Sequence, residues 1–152
     1  MKMKKYEKEI EEILDEIKYN ERTLDMKKFI QHGKISTYDH CESVTNLSYK
    51  INKKLHLRAN EDTLCKGAML HDFYLYDWHN YDDGSHKLHG FSHPKKASVN
   101  AIKYFGVSRE VEHVISSHMW PLTFRSIPKS REAWIVCVAD KCVAIRETLF
   151  AR

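Results

Sequence analysis

The chain has 152 residues, 42% of them hydrophobic and 30% charged, enough for one domain with a full core, and no Pro/Gly/Ser-rich linker or internal repeat divides it. Its 25 Lys and Arg are interspersed with 21 Asp and Glu for a formal charge of +4; that excludes the clustered basic tail of a dedicated nucleic-acid binder and suits an anionic small substrate. No apolar run approaches the ~20 residues that cross a bilayer, the basic opening Met1 to Lys5 leads into charged sequence, and Cys41, Cys65, Cys137 and Cys142 form no CxxC pair, so we expect a cytoplasmic protein with reduced thiols as core filler and no membrane partner.

Three Pro, five Gly and few alternating runs predict an all-α fold of about six to seven helices. Residues 4–19 carry Ile10, Ile13, Leu14 and Ile17 at helical spacing, an amphipathic helix without chemistry of its own. Residues 22–31 read as a short helix closed by His32-Gly33, since Gly takes the left-handed cap and His suits the negative helix end. These N-terminal helices, 4–31, pack on the remainder. Thr37 to Lys54 form the next helix, with Thr37 or Asp39 near its cap and His40, Val44, Leu47 and Ile51 along one stripe. Asn60 caps another, in which Leu64, Ala68 and His71 follow at helical spacing and deliver His71-Asp72 at the end.

From Phe73 to Ser92 the chain turns aromatic and polar, which predicts a long loop over a site. Pro94 fits the first position of the following helix, with His93 at its mouth, Ala97, Ala101 and Tyr104 on its inner stripe, and Gly106 to stop it. Ser108 caps a short helix whose stripe is Val111, Val114, Ile115 and His118. A loop bracketed by Pro121 and Pro128 carries Arg125, with Lys129 just after it. Arg131 to Phe150 form the last helix, with Val136, Asp140 and Val143 on one face; Ala133 to Ala139 alone could be a buried strand, but the uninterrupted length decides for helix.

His40, His71, Asp72, His93, His118 and Asp140 thus each lie on or at the end of an apolar stripe. Burying imidazole or carboxylate there without a partner is costly. Imidazole nitrogens and carboxylate oxygens together suit divalent Fe, Mn, Co, Ni or Zn. His40, His71, Asp72 and Asp140 are donors enough for one ion, and His93 and His118 add enough for a second bridged by Asp72. His89 and His93 form an H-x-x-x-H pair, but Gly90 stands where a zincin has Glu, and the residue before Pro94 avoids helical geometry, so the two histidines should not share a helical face.

The order His40, His71-Asp72, His93, His118, Asp140 within helices resembles the HD-domain superfamily of metal-dependent phosphohydrolases. His93-Pro94-Lys95-Lys96-Ala97 is similar to the HPxxG/A helix start of dinuclear members, and Ala139-Asp140 to the setting of their last ligand. The resemblance covers roughly residues 36–148, the core of a single HD-type domain. It implies metal ligation by His40, His71, Asp72 and Asp140, a second metal position completed by His93 and His118, and a catalytic role for His71 and for Asp72, which bridges or orients the nucleophilic water. Many relatives carry a lysine three residues after the Asp of the pair, where this chain has Leu75. Lys141, Arg125, Lys129 or Lys87 are candidate phosphate-binding substitutes by proximity in sequence.

The implied substrate is a phosphate ester or anhydride of a small molecule, a nucleotide in the first instance, whose flat base could stack on Trp78 or Tyr81. His89 is a candidate for substrate contact or proton transfer. Two other readings stay open: a mononuclear phosphomonoesterase with His93 and His118 in the substrate pocket, and a non-catalytic sensory module, for which Leu75 speaks. The oligomeric state is open.

Overall fold

The helices start where a side chain takes up the free amides of a first turn. After α1 (Lys2–Ile13), which has no such cap, Asn20 accepts from the Arg22 amide at 2.9 Å and opens the one-turn α2 (Glu21–Leu24). A 3-10 turn (Asp25–Lys28) follows, then an antiparallel hairpin of β1 (Ile30–His32) and β2 (Ile35–Ser36). Ser36 accepts from the Asp39 amide at 3.1 Å and opens α3 (Thr37–Lys54). Asn60 does the same for α4 (Glu61–Leu70) through the Thr63 amide at 2.9 Å. The remaining helices are α5 (Ser85–Phe105), α6 (Arg109–Ser117), capped by Ser108 on the Val111 amide at 3.2 Å, and α7 (Arg131–Phe150). This computed structural model describes residues 1–75 and 85–150, and the side chains of all of these except 85–90. Among the described residues, no helix is long and apolar enough to cross a membrane.

The fold is all-α, with the hairpin as its one sheet among the described residues, and α3, α4 and α6 organise its interior. Each contributes to two apolar clusters. Cys41 and Tyr49, Cys65 and Met69, Val111 and Ile115 pack with Ile10, Leu14, Ile17 and Phe73. Val44, Leu64, Ala68 and Val114 pack with Ala133, Val136, Ala139 and Val143 of α7. Between α4 and α6 the approach is close: a Cβ on Gly67 would lie 2.5 Å from a Val114 methyl and 2.7 Å from its Cβ. Only glycine permits that separation, and it brings the ends of both helices, at His71 and His118, to one place.

Several sequence expectations need correction. The first helix ends at Ile13, and the chain continues in turns through which Leu14 and Ile17 still reach the core. Residues 22–31 are not one helix. Phe29 is extended (φ −112°, ψ 135°), His32 sits in a strand, and Gly33 (φ 58°) serves the hairpin connection instead of a helix cap. Burial explains the difference: strand alternation turns Gln31 inward and Ile30 outward.

The loop expected over 73–92 is helical from Ser85, so His93 and Pro94 lie inside α5 and the chain at His93 does not leave helical geometry. An interior proline costs a helix about 3 kcal/mol, and the burial of Ala97 and Ala101 on the core side works against that cost. Tyr104 is partly exposed, resting edge-on against Phe73 at 6.0 Å instead of lying on the inner stripe. Cys142 is exposed, so only Cys41, Cys65 and Cys137 are core filler.

Candidate metal centre

Helices α4 and α6 end alike. His71 follows α4 and His118 follows α6, both with helical backbone. Each donates its Nδ1–H to the carbonyl three residues back, His71 to Ala68 and His118 to Ile115, both at 2.6 Å. A carbonyl can only accept, so Nδ1 carries the proton and Nε2 presents a lone pair. His40 of α3 is held the same way, its Nδ1–H donating to Glu147 Oε2 at 2.8 Å. Metal-binding histidines characteristically have the far ring nitrogen fixed by a carboxylate or backbone carbonyl.

The three Nε2 atoms face carboxylate oxygens. His40 Nε2 is 2.8 Å from Asp140 Oδ1. His71 Nε2 is 3.2 Å from the same oxygen and 3.3 Å from Asp72 Oδ2. His118 Nε2 is 3.3 Å from Asp72 Oδ1, with His93 Nε2 at 3.2 Å from that oxygen and 2.9 Å from His118 Nε2. A lone pair against a carboxylate is repulsive, so these contacts call for a cation: a second ring proton or a metal ion.

The electrostatics follow. Burial disfavours the His40 imidazolium, but hydrogen bonds to Asp140 and Glu147 outweigh it and raise the pKa to about 10. His71 is likewise held well above the ordinary histidine range by Asp72 and Asp140 against the effect of burial. Burial wins at His118 and lowers it. Burial would raise Asp72 and Asp140 too, but the neighbouring imidazoles, His71 foremost, keep both below the usual carboxylate range.

One ligand atom each from His40, His71, Asp72 and Asp140 lies within 4.8 Å of the others, and so does one each from Asp72, His93 and His118. Asp72 belongs to both groups. Its Oδ1 is fully buried and, among the described residues, has no hydrogen bond, an expensive state for a carboxylate oxygen that a cation relieves. The donors therefore fit a divalent metal in number, type and orientation.

A family model described as the HD domain matches residues 37–145. The chain belongs to the HD domain family. No curated protein and no solved structure matches it. The six candidate ligands in this HD domain are thus brought together by α3, the ends of α4 and α6, α5 and α7.

The cations fare differently. Lys141 of the HD domain donates its Nζ to the His118 and Cys137 carbonyls at 3.0 and 3.4 Å. It holds the backbone of a candidate ligand. Arg125 is exposed and stacks over Phe124 at 5.6 Å. Lys129 is exposed, and its amide donates to His113 Nε2 at 2.9 Å. Among the described residues, neither has a hydrogen bond or ion pair to any of the six. The side chains of Lys87 and His89 and all of Trp78 and Tyr81 lie outside the described residues. Leu75 is partly buried against the core with a left-handed backbone (φ 58°).

Sequence reading missed Glu147 and Gln31 and placed His32 only at the close of a helix. Glu147 was findable, since it follows Asp140 and Val143 at helical spacing on the buried face of α7. Gln31, whose Nε2 donates to Asp72 Oδ2 at 2.8 Å, has no such signal. His32, partly buried, places its ring 5.6 Å from that of His40, and burial lowers its pKa.

Proposed function

We propose that this HD domain, read as a single domain over 1–152, is a metal-dependent phosphohydrolase with two divalent ions of the Fe, Mn, Co, Ni or Zn group. His40, His71, Asp72 and Asp140 would hold one; Asp72, His93 and His118 would hold the other. The observation that carries this reading is the division of Asp72. Its Oδ2 faces His40 at 3.5 Å and His71 at 3.3 Å, while its Oδ1 faces His93 and His118.

Such ions supply Lewis-acid charge to a phosphoryl group and make water more acidic. The protein's own residues do the rest. Glu147 and the Ala68 and Ile115 carbonyls keep the three Nδ1 protons in place, so no reorganisation of the rings is needed during turnover. Asp72, with His71 beside it, orients the attacking water. Lys141 steadies the turn that carries His118.

The substrate proposed is a small phosphate ester or anhydride, with nucleotides first; the nucleotide part rests on the aromatic and cationic residues of the sequence, Trp78, Tyr81, His89, Arg125 and Lys129 among them. A non-catalytic sensory role has one feature in its favour, the apolar Leu75 where many relatives carry lysine. The test is to load the protein with Mn(II), count metal by elemental analysis, and assay nucleoside monophosphates, dinucleoside polyphosphates, cyclic dinucleotides and sugar phosphates. Two ions and faster turnover of a nucleotide than of any sugar phosphate are expected. Bound metal without turnover of any phosphate compound replaces the hydrolase with the sensory reading; turnover of sugar phosphates alone removes the nucleotide.

A further inference from the structure

Gln31 precedes the family-matched segment 37–145, yet its side chain is buried against the carboxylate shared by both ligand groups. An ionised carboxylate only accepts, so the amide must turn its NH2 to Asp72, and Nε2 donates to Oδ2 at 2.8 Å. That leaves Oε1 for donors. The Tyr74 hydroxyl donates to it at 2.7 Å and the Thr37 hydroxyl at 3.3 Å. The strand beneath is anchored as well, the Thr37 amide donating to the Phe29 carbonyl at 2.8 Å. Gln31 is therefore fixed at both ends of its amide.

We propose that Gln31 is the positioning residue that keeps Asp72 divided between the two ligand groups, an inference that rests on the two-ion reading above. Without that hydrogen bond, the carboxylate is free to turn about Cβ–Cγ and offer both oxygens to the His40, His71 and Asp140 side. His93 and His118 would then be left as the two donors on their side, too few to retain an ion. With Oδ2 held by Gln31, Oδ1 stays on the His93 and His118 side, 3.2 and 3.3 Å from their Nε2 atoms, and no hydrogen bond to any other described residue draws it away. Gln31 thereby sets the number of ions without touching them.

The experiment compares the full chain with Gln31→Met, which keeps length and removes the donor, and Gln31→Glu, which puts an acceptor in its place. Ile30→Ala, at an exposed position of the same strand, is the control. Each is loaded with Mn(II), freed of loose metal by gel filtration, counted by elemental analysis, and examined by electron paramagnetic resonance. Far-ultraviolet circular dichroism of the metal-free proteins reports folding.

Wild type and Ile30→Ala should carry two ions with an exchange-coupled spectrum. Both Gln31 variants should lose about one ion of two and show the spectrum of isolated Mn(II) at unchanged metal-free helicity. A Gln31 variant that folds and keeps two coupled ions overturns the role of Gln31 and leaves the two-ion reading intact. Loss of helicity in both variants also overturns it, since Gln31 then acts on folding. A wild type that holds one ion overturns the two-ion reading, and the positioning role with it.

Discussion

Glu147 stands 107 residues after His40 and accepts a hydrogen bond from that histidine's Nδ1–H at 2.8 Å. The contact ties the far end of α7 to the start of α3. It also orients the ring, because an imidazole whose Nδ1–H is committed to a carboxylate can offer only Nε2 to the cluster. The other oxygen of Glu147, Oε1, is buried and has no hydrogen bond among the described residues.

Replacing Glu147 should therefore loosen metal without removing a ligand. Glu147→Gln keeps an acceptor and loses the charge; Glu147→Ala loses both. Metal affinity should fall by roughly 10–100-fold, more for Ala than for Gln. Competition against a chelator measures this, and a wild-type curve for Glu147→Ala would refute the orienting role.

Asp72 and His118 should differ in what their loss removes. Asp72→Ala takes a donor from both groups and should strip most of the metal, whereas His118→Ala should strip about one ion of two and lower kcat far more than it raises KM. Elemental analysis of the two variants beside steady-state kinetics separates these outcomes. Equal metal loss in both would mean that Asp72 is not shared.

Protons and metal should compete for the site. In the metal-free protein the His40 contribution to stability is complete below the ordinary histidine pKa of 6.5 and is lost as pH rises through about 10. The Asp140 contribution is complete above the ordinary carboxylate value of 3.8 and is lost only as pH falls further. Thermal unfolding without metal should accordingly show Tm falling from near neutrality toward pH 10. Metal must displace the extra ring proton, so uptake at pH 7 should release at least one proton, and affinity should rise with pH. Calorimetric titration in buffers of different ionisation enthalpy reads the proton count; zero would contradict the raised His40 pKa.

Gly67→Ala tests the closeness of α4 and α6. The new methyl would press on Val114 at 2.5 Å, an overpacking that costs about 1–3 kcal/mol. Tm should drop, and metal affinity should weaken with it because His71 and His118, with ring centroids 4.8 Å apart, are carried on those two helices. An unchanged Tm would show that the helices part freely.

The sequence by itself determined the parts whose signals are local. Asn60 and Ser108 cap their helices through amides three residues away, and the run from Arg131 to Phe150 is long enough to declare itself a helix. The six candidate ligands were legible for a related reason: an imidazole or carboxylate on an apolar stripe contradicts its surroundings, and the contradiction is visible without coordinates. Only the tertiary structure decided that Gln31 enters on a strand, that α5 runs through Pro94, that Glu147 serves His40, and that Lys141 supports the His118 turn while Arg125 and Lys129 stay on the surface. Nearness along the chain says little about nearness in space once helices intervene. A hydrogen-bond partner 107 residues away is chosen by how those helices pack, and no window of sequence contains both ends of that bond.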